Sequence, residues 1–437
     1  MAAPSAPLTE RKFVLPFVLV TSLFFLWALG VNLNDVLIPH LKNAFQLTDL
    51  QSSLIQVAFF GGYFLAAFPA GRLMERVGYK NGVVFGLVVC ATGAFLFVPA
   101  AYVLKYWVFL AALFIMACGQ ACLEVAANPY ITVLGPAESS ERRLNLAQSF
   151  NGVGAWITPR IGKLFILTAV VYCAAQIKSM TPQQLRAFQL SEASTVKLPY
   201  LVITGLLLVV AAITYFSHLP EVREASLPAG PAPAWGEFRQ ALRHRHLVSG
   251  TIAQFLYVGA QVGVTSFVIR FTQHSDPGLS PREASDYLGW HLFGFMVGRV
   301  AGSLAMQKLA PTKLLTSFSA GAAICGVVAV TMTGMAAVWA VVLIGFFHSI
   351  MFPTIFALSI KNLGPLTKLG SSFLVMAIIG GAIFPAVMGY ISDLTNIQKA
   401  FVVPLVCYLY VLYFAVAGHK PEPVAETPVA AAAIEAK

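Results

Sequence analysis

The chain alternates long apolar runs with short polar breaks over its 437 residues. A helix that crosses a bilayer needs roughly 20 mostly apolar residues. Twelve runs approach or exceed that length. The first six lie near 14–39, 51–72, 81–101, 107–134, 145–171 and 198–217. The second six lie near 247–271, 284–307, 314–333, 336–360, 370–391 and 400–417. The longest internal polar stretch, 218–246, falls between the two sixes and holds Pro220, Pro228, Pro231, Pro233 and a cluster of Arg and His. The pattern predicts an all-α membrane protein with twelve transmembrane helices in two six-helix halves. Residues 1–217 form the first half, 218–246 a cytoplasmic linker and 247–418 the second half. Residues 419–437, rich in Pro, Ala and Glu, are expected to be a disordered cytoplasmic tail.

Composition supports this picture. Hydrophobic residues make up 58% of the chain and charged residues 11%, against roughly 25% charged in soluble domains. A soluble fold of this length has too little interior to hide that much apolar surface. The net charge of +10 does not point to nucleic acid, because the basic residues sit in the breaks between runs, as topology signals do. With the N-terminus inside, the cytoplasmic segments collect most of them, including Arg72, Arg76, Lys80, Arg142, Arg143, Arg239, Arg243, Arg245 and Arg299. Both termini are therefore expected in the cytoplasm, with the chain multi-pass in the plasma (inner) membrane. The first apolar run is too long for a signal-peptide core. The six cysteines, Cys90, Cys118, Cys122, Cys173, Cys325 and Cys407, lie mostly inside apolar runs and are expected to be small packing residues. His291 and His348 are isolated in sequence, so core polar roles are expected for them. No metal, cofactor or nucleophile–base set is predicted, and the chain is not expected to be an enzyme.

Of the 18 acidic residues, two fall well inside apolar runs: Asp35 and Glu124. Ionisable groups in lipid are costly and mark function by default. Each has polar company on its own helical face. Asn32 precedes Asp35 by three positions; Gln120 and Asn128 flank Glu124 at four. A carboxyl in a low-dielectric site holds a proton more readily than in water, so its charge can change within a transport cycle. Two helical halves place a substrate near the midplane, between them. Candidate groups for a polar substrate follow. Gln148 and Asn151 share a stripe with Gly152 and Ala155, while Gln254, Tyr257 and Gln261 share a face of the seventh run. Amides bond vicinal hydroxyls and rings cover C–H faces, which suits a sugar. The same amides also suit hydrogen bonding between helices.

The stretch GRLMERVGYK (71–80) resembles the loop between the second and third helices of the major facilitator superfamily. The resemblance implies gating roles for Gly71, Glu75, Arg76, Gly78 and Lys80. More specific are NLNDVLIPHLK, CLEVAANPYITVLGP, RLNLAQSFN, AQFLYVGAQVG and PTIFALSIKNLG. In this order they look like the fucose/galactose/glucose:proton symporter family, and among its types the L-fucose:proton symporters. That resemblance implies proton coupling at Asp35 and Glu124. It implies sugar binding at Asn32, Glu124 and Gln148, to which the residue pattern adds Asn128, Asn151, Gln254, Tyr257 and Gln261. Glucose/galactose members tend to carry glutamine at the position of Glu124. Arg160 and Lys163 depart from the family, which has small or uncharged residues there. The expected partners are a small sugar, protons and the bilayer, with the chain a monomer. Glucose, galactose or N-acetylglucosamine remain alternative substrates. A sugar sensor that does not transport would carry a signalling domain, and no stretch of this sequence offers one.

Overall fold

The computed structural model describes residues 7–45, 47, 49–165, 180–217, 235–279 and 281–420. Within these, the side chains of 31–40, 42–44, 49–53, 75, 159–165, 235, 237, 281 and 282 lie outside the description. Asn32, Asp35, Glu75, Arg160 and Lys163 are thus placed on helices without a described side chain, and Cys173 lies outside the described residues.

Every regular element described is helical. In the first half these are α1 (Val14–Phe45), α2 (Asp49–Val103), α3 (Tyr106–Val133), α4 (Ser140–Phe165), α5 (Pro182–Thr195) and α6 (Lys197–Phe216). After α7 (Trp235–Arg243) come α8 (Arg245–Ser275), α9 (Pro281–Ala305), α10 (Pro311–Thr331), α11 (Gly334–His348) and α12 (Met351–Ile360). The chain ends in α13 (Thr367–Met376), α14 (Gly380–Leu394), α15 (Ile397–Ala400) and α16 (Val402–Tyr413). α2 holds two predicted spans, broken at Gly78, whose φ of 80° and ψ of 172° lie where a β-carbon is disfavoured.

Ten helical stretches among the described residues are long and apolar enough to cross a membrane, two fewer than predicted. The two that do not qualify are α4, of which residues 159–165 have no described side chain, and α9. They carry the polar residues that join the halves: Glu141, Asn145, Gln148, Ser149 and Asn151 on one, Arg299 and Ser303 on the other. A helix that shows a polar stripe to a partner helix loses average hydropathy without leaving the bundle.

Two predicted loops contain helices. The segment before residue 198 forms α5, started by a reciprocal capping box in which Thr181 Oγ1 accepts from Gln184 N–H and the Gln184 side chain accepts from Thr181 N–H. The end of the linker forms α7. Its Phe238 ring packs 6.4 Å from Phe68 in the first half and 5.0 Å from Phe373 in the second.

Arg143, counted above as a loop cation, is fully buried. Its guanidinium donates to the carbonyls of Ile131 and Thr132 in the last turn of α3, and to those of Gly135, Pro136 and Leu8. A helix end leaves carbonyls unsatisfied, and a basic side chain can serve them. The same knot ties the N-terminal segment down, with Thr9 Oγ1 donating to the Leu134 carbonyl and Ser139 Oγ to that of Pro7.

The halves meet at the end of the bundle that carries the Gly71–Lys80 turn. Glu141, itself buried, pairs with Lys361 at 2.8 Å. Asn145 Nδ2 donates to Thr354 Oγ1 at 3.1 Å. The Lys368 ammonium lies 5.2 Å from the Tyr79 ring centre. At Gly71 a β-carbon would sit 2.0 Å from Ser372 Oγ across the interface, so glycine permits the approach. The five described cysteines are free. Cys90 packs against Gly119, and Gly93 against Met116, where an added β-carbon would lie 2.3 Å from the facing backbone nitrogen in each case.

That contact yields a test. Gly93→Ala and Gly119→Ala should each destabilise the protein by about 1–3 kcal/mol, the usual range for overpacking. The readout is a lowered unfolding temperature of purified protein in detergent. Gly205→Ala, whose added β-carbon would meet nothing within 4 Å, should leave that temperature unchanged or higher.

Candidate functional site

α3 is the most deeply packed of the first-half helices, and Gln120, Glu124 and Asn128 form a polar stripe along it with one turn between neighbours. All three are buried. Neither carboxylate oxygen of Glu124 has a hydrogen-bond partner among the described residues. Gln120 Nε2 and Asn128 Nδ2 are likewise unpartnered. Pro129 sits inside α3 and cannot donate to the Val125 carbonyl, so the helix backbone beside Glu124 is also under-bonded.

The stripe continues at both ends. On the α1 side, Trp27 Nε1 donates to Tyr63 Oη at 2.8 Å, and Tyr63 Oη to Gln120 Oε1 at 3.4 Å. Tyr63 also lies within electrostatic reach of Glu124. On the α4 side, Gln148 Nε2 donates to Asn128 Oδ1 at 3.2 Å. From Gln148 the tract crosses into the second half. Arg299 Nη1 donates to the Gln148 carbonyl at 2.6 Å, to Gln148 Oε1 at 3.2 Å and to Asn151 Oδ1 at 3.1 Å. Asn151 Nδ2 turns back to the Phe24 carbonyl of α1 at 3.3 Å.

Arg299 is the main correction to the sequence reading. It was placed with the cytoplasmic cations, yet its side chain is buried in the bundle. Pro353 explains how its position is held. Proline at 353 has no N–H for the Ser349 carbonyl and its ring clashes there, and the helix breaks between His348 and Met351. Two carbonyls are freed: Arg299 Nε donates to that of Ser349 at 2.9 Å and Tyr257 Oη to that of His348 at 2.8 Å. Tyr257 thereby stands within electrostatic reach of Arg299. The rule that singled out Asp35 and Glu124, an ionisable group inside an apolar run, applies equally to Arg299.

The structure thus brings together Glu124, Asn128, Gln148, Asn151 and Tyr257, and adds Trp27, Tyr63, Gln120 and Arg299. Gln254 is fully buried with neither amide atom partnered. Gln261 is half-buried. The histidines are not isolated. The rings of His291 and His348 lie 6.1 Å apart, His348 Nε2 lies 2.8 Å from Tyr408 Oη, and His291 Nδ1 donates to the Val341 carbonyl at 3.0 Å. No cluster able to hold a metal occurs among the described residues. Glu141 and Glu192 are buried as well, so Glu124 is not the sole buried acid among the described residues. Of the turn residues, Gly78 has a positive φ that favours glycine, Gly71 lies close against Ser372, Arg76 is exposed, and Lys80 lies 5.8 Å from the Tyr215 ring centre.

Two helical halves with a buried polar tract running across their interface define a membrane transporter. The sequence pattern of the Major Facilitator Superfamily matches residues 20–374. The chain is 41% identical to the L-fucose-proton symporter of Escherichia coli K12 over 93% of each protein. It is also 41% identical to the glucose/galactose transporter of Brucella abortus strain 2308, over 94% of this chain and 96% of that one. The crystal structure of a Major Facilitator Superfamily transporter in the outward conformation superposes with a TM-score of 0.86 at 41% identity, covering 93% of this chain and 99% of that one. The chain belongs to the major facilitator superfamily and, within it, to the fucose/galactose/glucose:proton symporter family.

The Arg299 clasp is testable. Arg299→Ala should cut substrate uptake at least tenfold, because it leaves buried oxygens of Gln148, Asn151 and Ser349 unpaired at about 1–3 kcal/mol each. Arg299→Lys should not restore it, since an ammonium lacks the planar fork that reaches both helices. Uptake by membrane-inserted protein at matched expression is the measurement.

Proposed function

We propose that this protein is a proton-coupled symporter that imports L-fucose by alternating access across the plasma (inner) membrane. The observation that carries the reading is Glu124: a buried acid with both oxygens unpartnered, flanked by amides with N–H groups to spare. Such a group is served by a proton, by sugar hydroxyls, or by both in turn. The amides of Gln120, Asn128, Gln148 and Asn151 supply the matching donors and acceptors. Asp35, later on α1, lies nearer the outer mouth and takes the proton first. α4 and α9 complete twelve spans, with both termini and the Gly71–Lys80 turn cytoplasmic. The cross-half contacts then close the cytoplasmic side, as an outward-facing state requires, and one chain supplies both halves of the pathway.

A second reading has support of its own. The Brucella glucose/galactose transporter is as similar to this chain as the fucose symporter, so galactose or glucose is the competing substrate. The carboxyl of Glu124, where that group tends to have glutamine, favours fucose. Uptake of a panel of labelled sugars into proteoliposomes with an imposed pH gradient separates the two. Fucose accumulation that collapses with an uncoupler is expected; accumulation that follows sodium and ignores the uncoupler contradicts proton coupling.

The two acids should separate by role. Asp35→Asn should abolish gradient-driven accumulation while leaving sugar affinity within about tenfold, or roughly 1.4 kcal/mol. Glu124→Ala should weaken binding more, by leaving sugar hydroxyls and neighbouring amides unpaired at about 1–3 kcal/mol each. Equilibrium binding and counterflow on both variants decide it. Equal losses of affinity would refute the division.

A further inference from the structure

Two buried side chains outside the polar tract, His348 and Tyr408, lie at the helix break that serves it. In an intact helix each carbonyl is aimed by its own ladder of hydrogen bonds. At His348 and Ser349 that ladder is interrupted, and it resumes where Thr354 N–H donates to the Ile350 carbonyl at 3.2 Å. Other contacts must therefore aim the Ser349 carbonyl, on which Arg299 Nε rests at 2.9 Å. The residue before it is pinned twice. Tyr257 Oη, from α8, donates to the His348 carbonyl at 2.8 Å. Tyr408 Oη, from α16, lies 2.8 Å from His348 Nε2. His348 Nδ1 has no partner among the described residues, so Tyr408 is the contact that fixes the ring. α9 rests directly on the break, since a β-carbon at Gly298 would lie 2.5 Å from Ser349 Oγ.

We propose that His348 and Tyr408 are positioning residues for transport. Their hydrogen bond holds residue 348 so that the Ser349 carbonyl meets Arg299, and Arg299 in turn holds Gln148 and Asn151 of the first half. A line of contacts thus runs from α16 through the break to the junction between the halves. The pair acts as a neutral hydrogen bond. The ionisable groups that face the His348 ring are Tyr257, His291 and Tyr408, with Arg299 at the next carbonyl. Cys325 and Cys407 stand within electrostatic reach of Tyr408. None of these is a carboxylate, so a positive ring would face the guanidinium with no anion to offset it. The inference rests on the transport reading and is independent of which sugar is carried.

The test is a double-mutant cycle with Arg299. It is read by initial uptake of whichever sugar the wild type accumulates. A second readout needs no sugar: the distance across the halves between spin labels at Ala137 and Pro365, both exposed. Tyr408→Phe should lower uptake about fivefold, the size of one net hydrogen bond, and raise the population of the longer distance. In an Arg299→Ala background the same substitution should change neither readout further. His348→Gln, which keeps a hydrogen-bonding group near the place of Nε2, should retain most of the uptake with the pH profile of wild type. His348→Leu should fall as far as Tyr408→Phe. Tyr200→Phe removes a buried hydroxyl that has no partner among the described residues, and should match wild type. Should Tyr408→Phe fail to fold, the contrast between His348→Gln and His348→Leu decides the matter. Equal losses from Tyr408→Phe in both backgrounds, equal uptake by His348→Gln and His348→Leu, or a shifted pH profile in His348→Gln would overturn the proposal. A wild type that accumulates no sugar would instead count against the transport reading, while the spin-label cycle still tests the pair.

Discussion

A guanidinium buried in an apolar bundle must be served by several oxygens at once, and Arg299 draws its oxygens from both halves of the molecule. An unpaired charge at that depth costs several kcal/mol. The oxygens come from Gln148 and Asn151 on α4 and from the Ser349 carbonyl. Much of the local architecture follows. α4 must be polar along one face, which lowers its hydropathy. The helix near residue 349 must be broken, and Pro353 breaks it. Residue 152 must be small, since a β-carbon there already comes within 3.3 Å of Arg299 Cδ.

Glu124 is the complement of this arrangement. Arg299 is well served, whereas both oxygens of Glu124 are without a partner in an equally buried place. Glu141 shows the contrast, since its buried carboxylate is held by Lys361 at 2.8 Å. One acid is paired across the two halves, while the other lies in the polar tract with its hydrogen-bonding capacity unspent. Gln148 links the two regions, bonded to Asn128 on the Glu124 side and to Arg299 on the other. Two hydrogen bonds lead from Asn128, one turn along α3 from Glu124, to the cross-half contact of Arg299.

The helical architecture and the polar stripe of α3 were legible in the sequence because each is written locally. Apolar length gives a span, and one-turn spacing puts Gln120, Glu124 and Asn128 on one face. Gly71 and Gly78 were legible from a short motif, and each has a physical cause in the structure. What escaped is written between distant segments. Arg299 meets Gln148 across 151 positions, and no periodicity reports that. Its place near the end of an apolar run made it look like a topology signal. Among the described residues α4 and α9 fall below the apolar length of a span, and both carry polar residues that join the halves. α5 and α7 were missed because short helices of polar composition read as loops. The His291–His348–Tyr408 cluster is assembled from three different helices.

The central claim is that Glu124 exchanges a proton in step with sugar binding. The most direct measurement is the proton taken up or released when L-fucose is added to purified protein in weakly buffered detergent solution, followed with a pH indicator. The wild type should show a sugar-dependent change in bound protons, and Glu124→Gln should bind sugar with none. The same proton change in wild type and in Glu124→Gln would contradict the account.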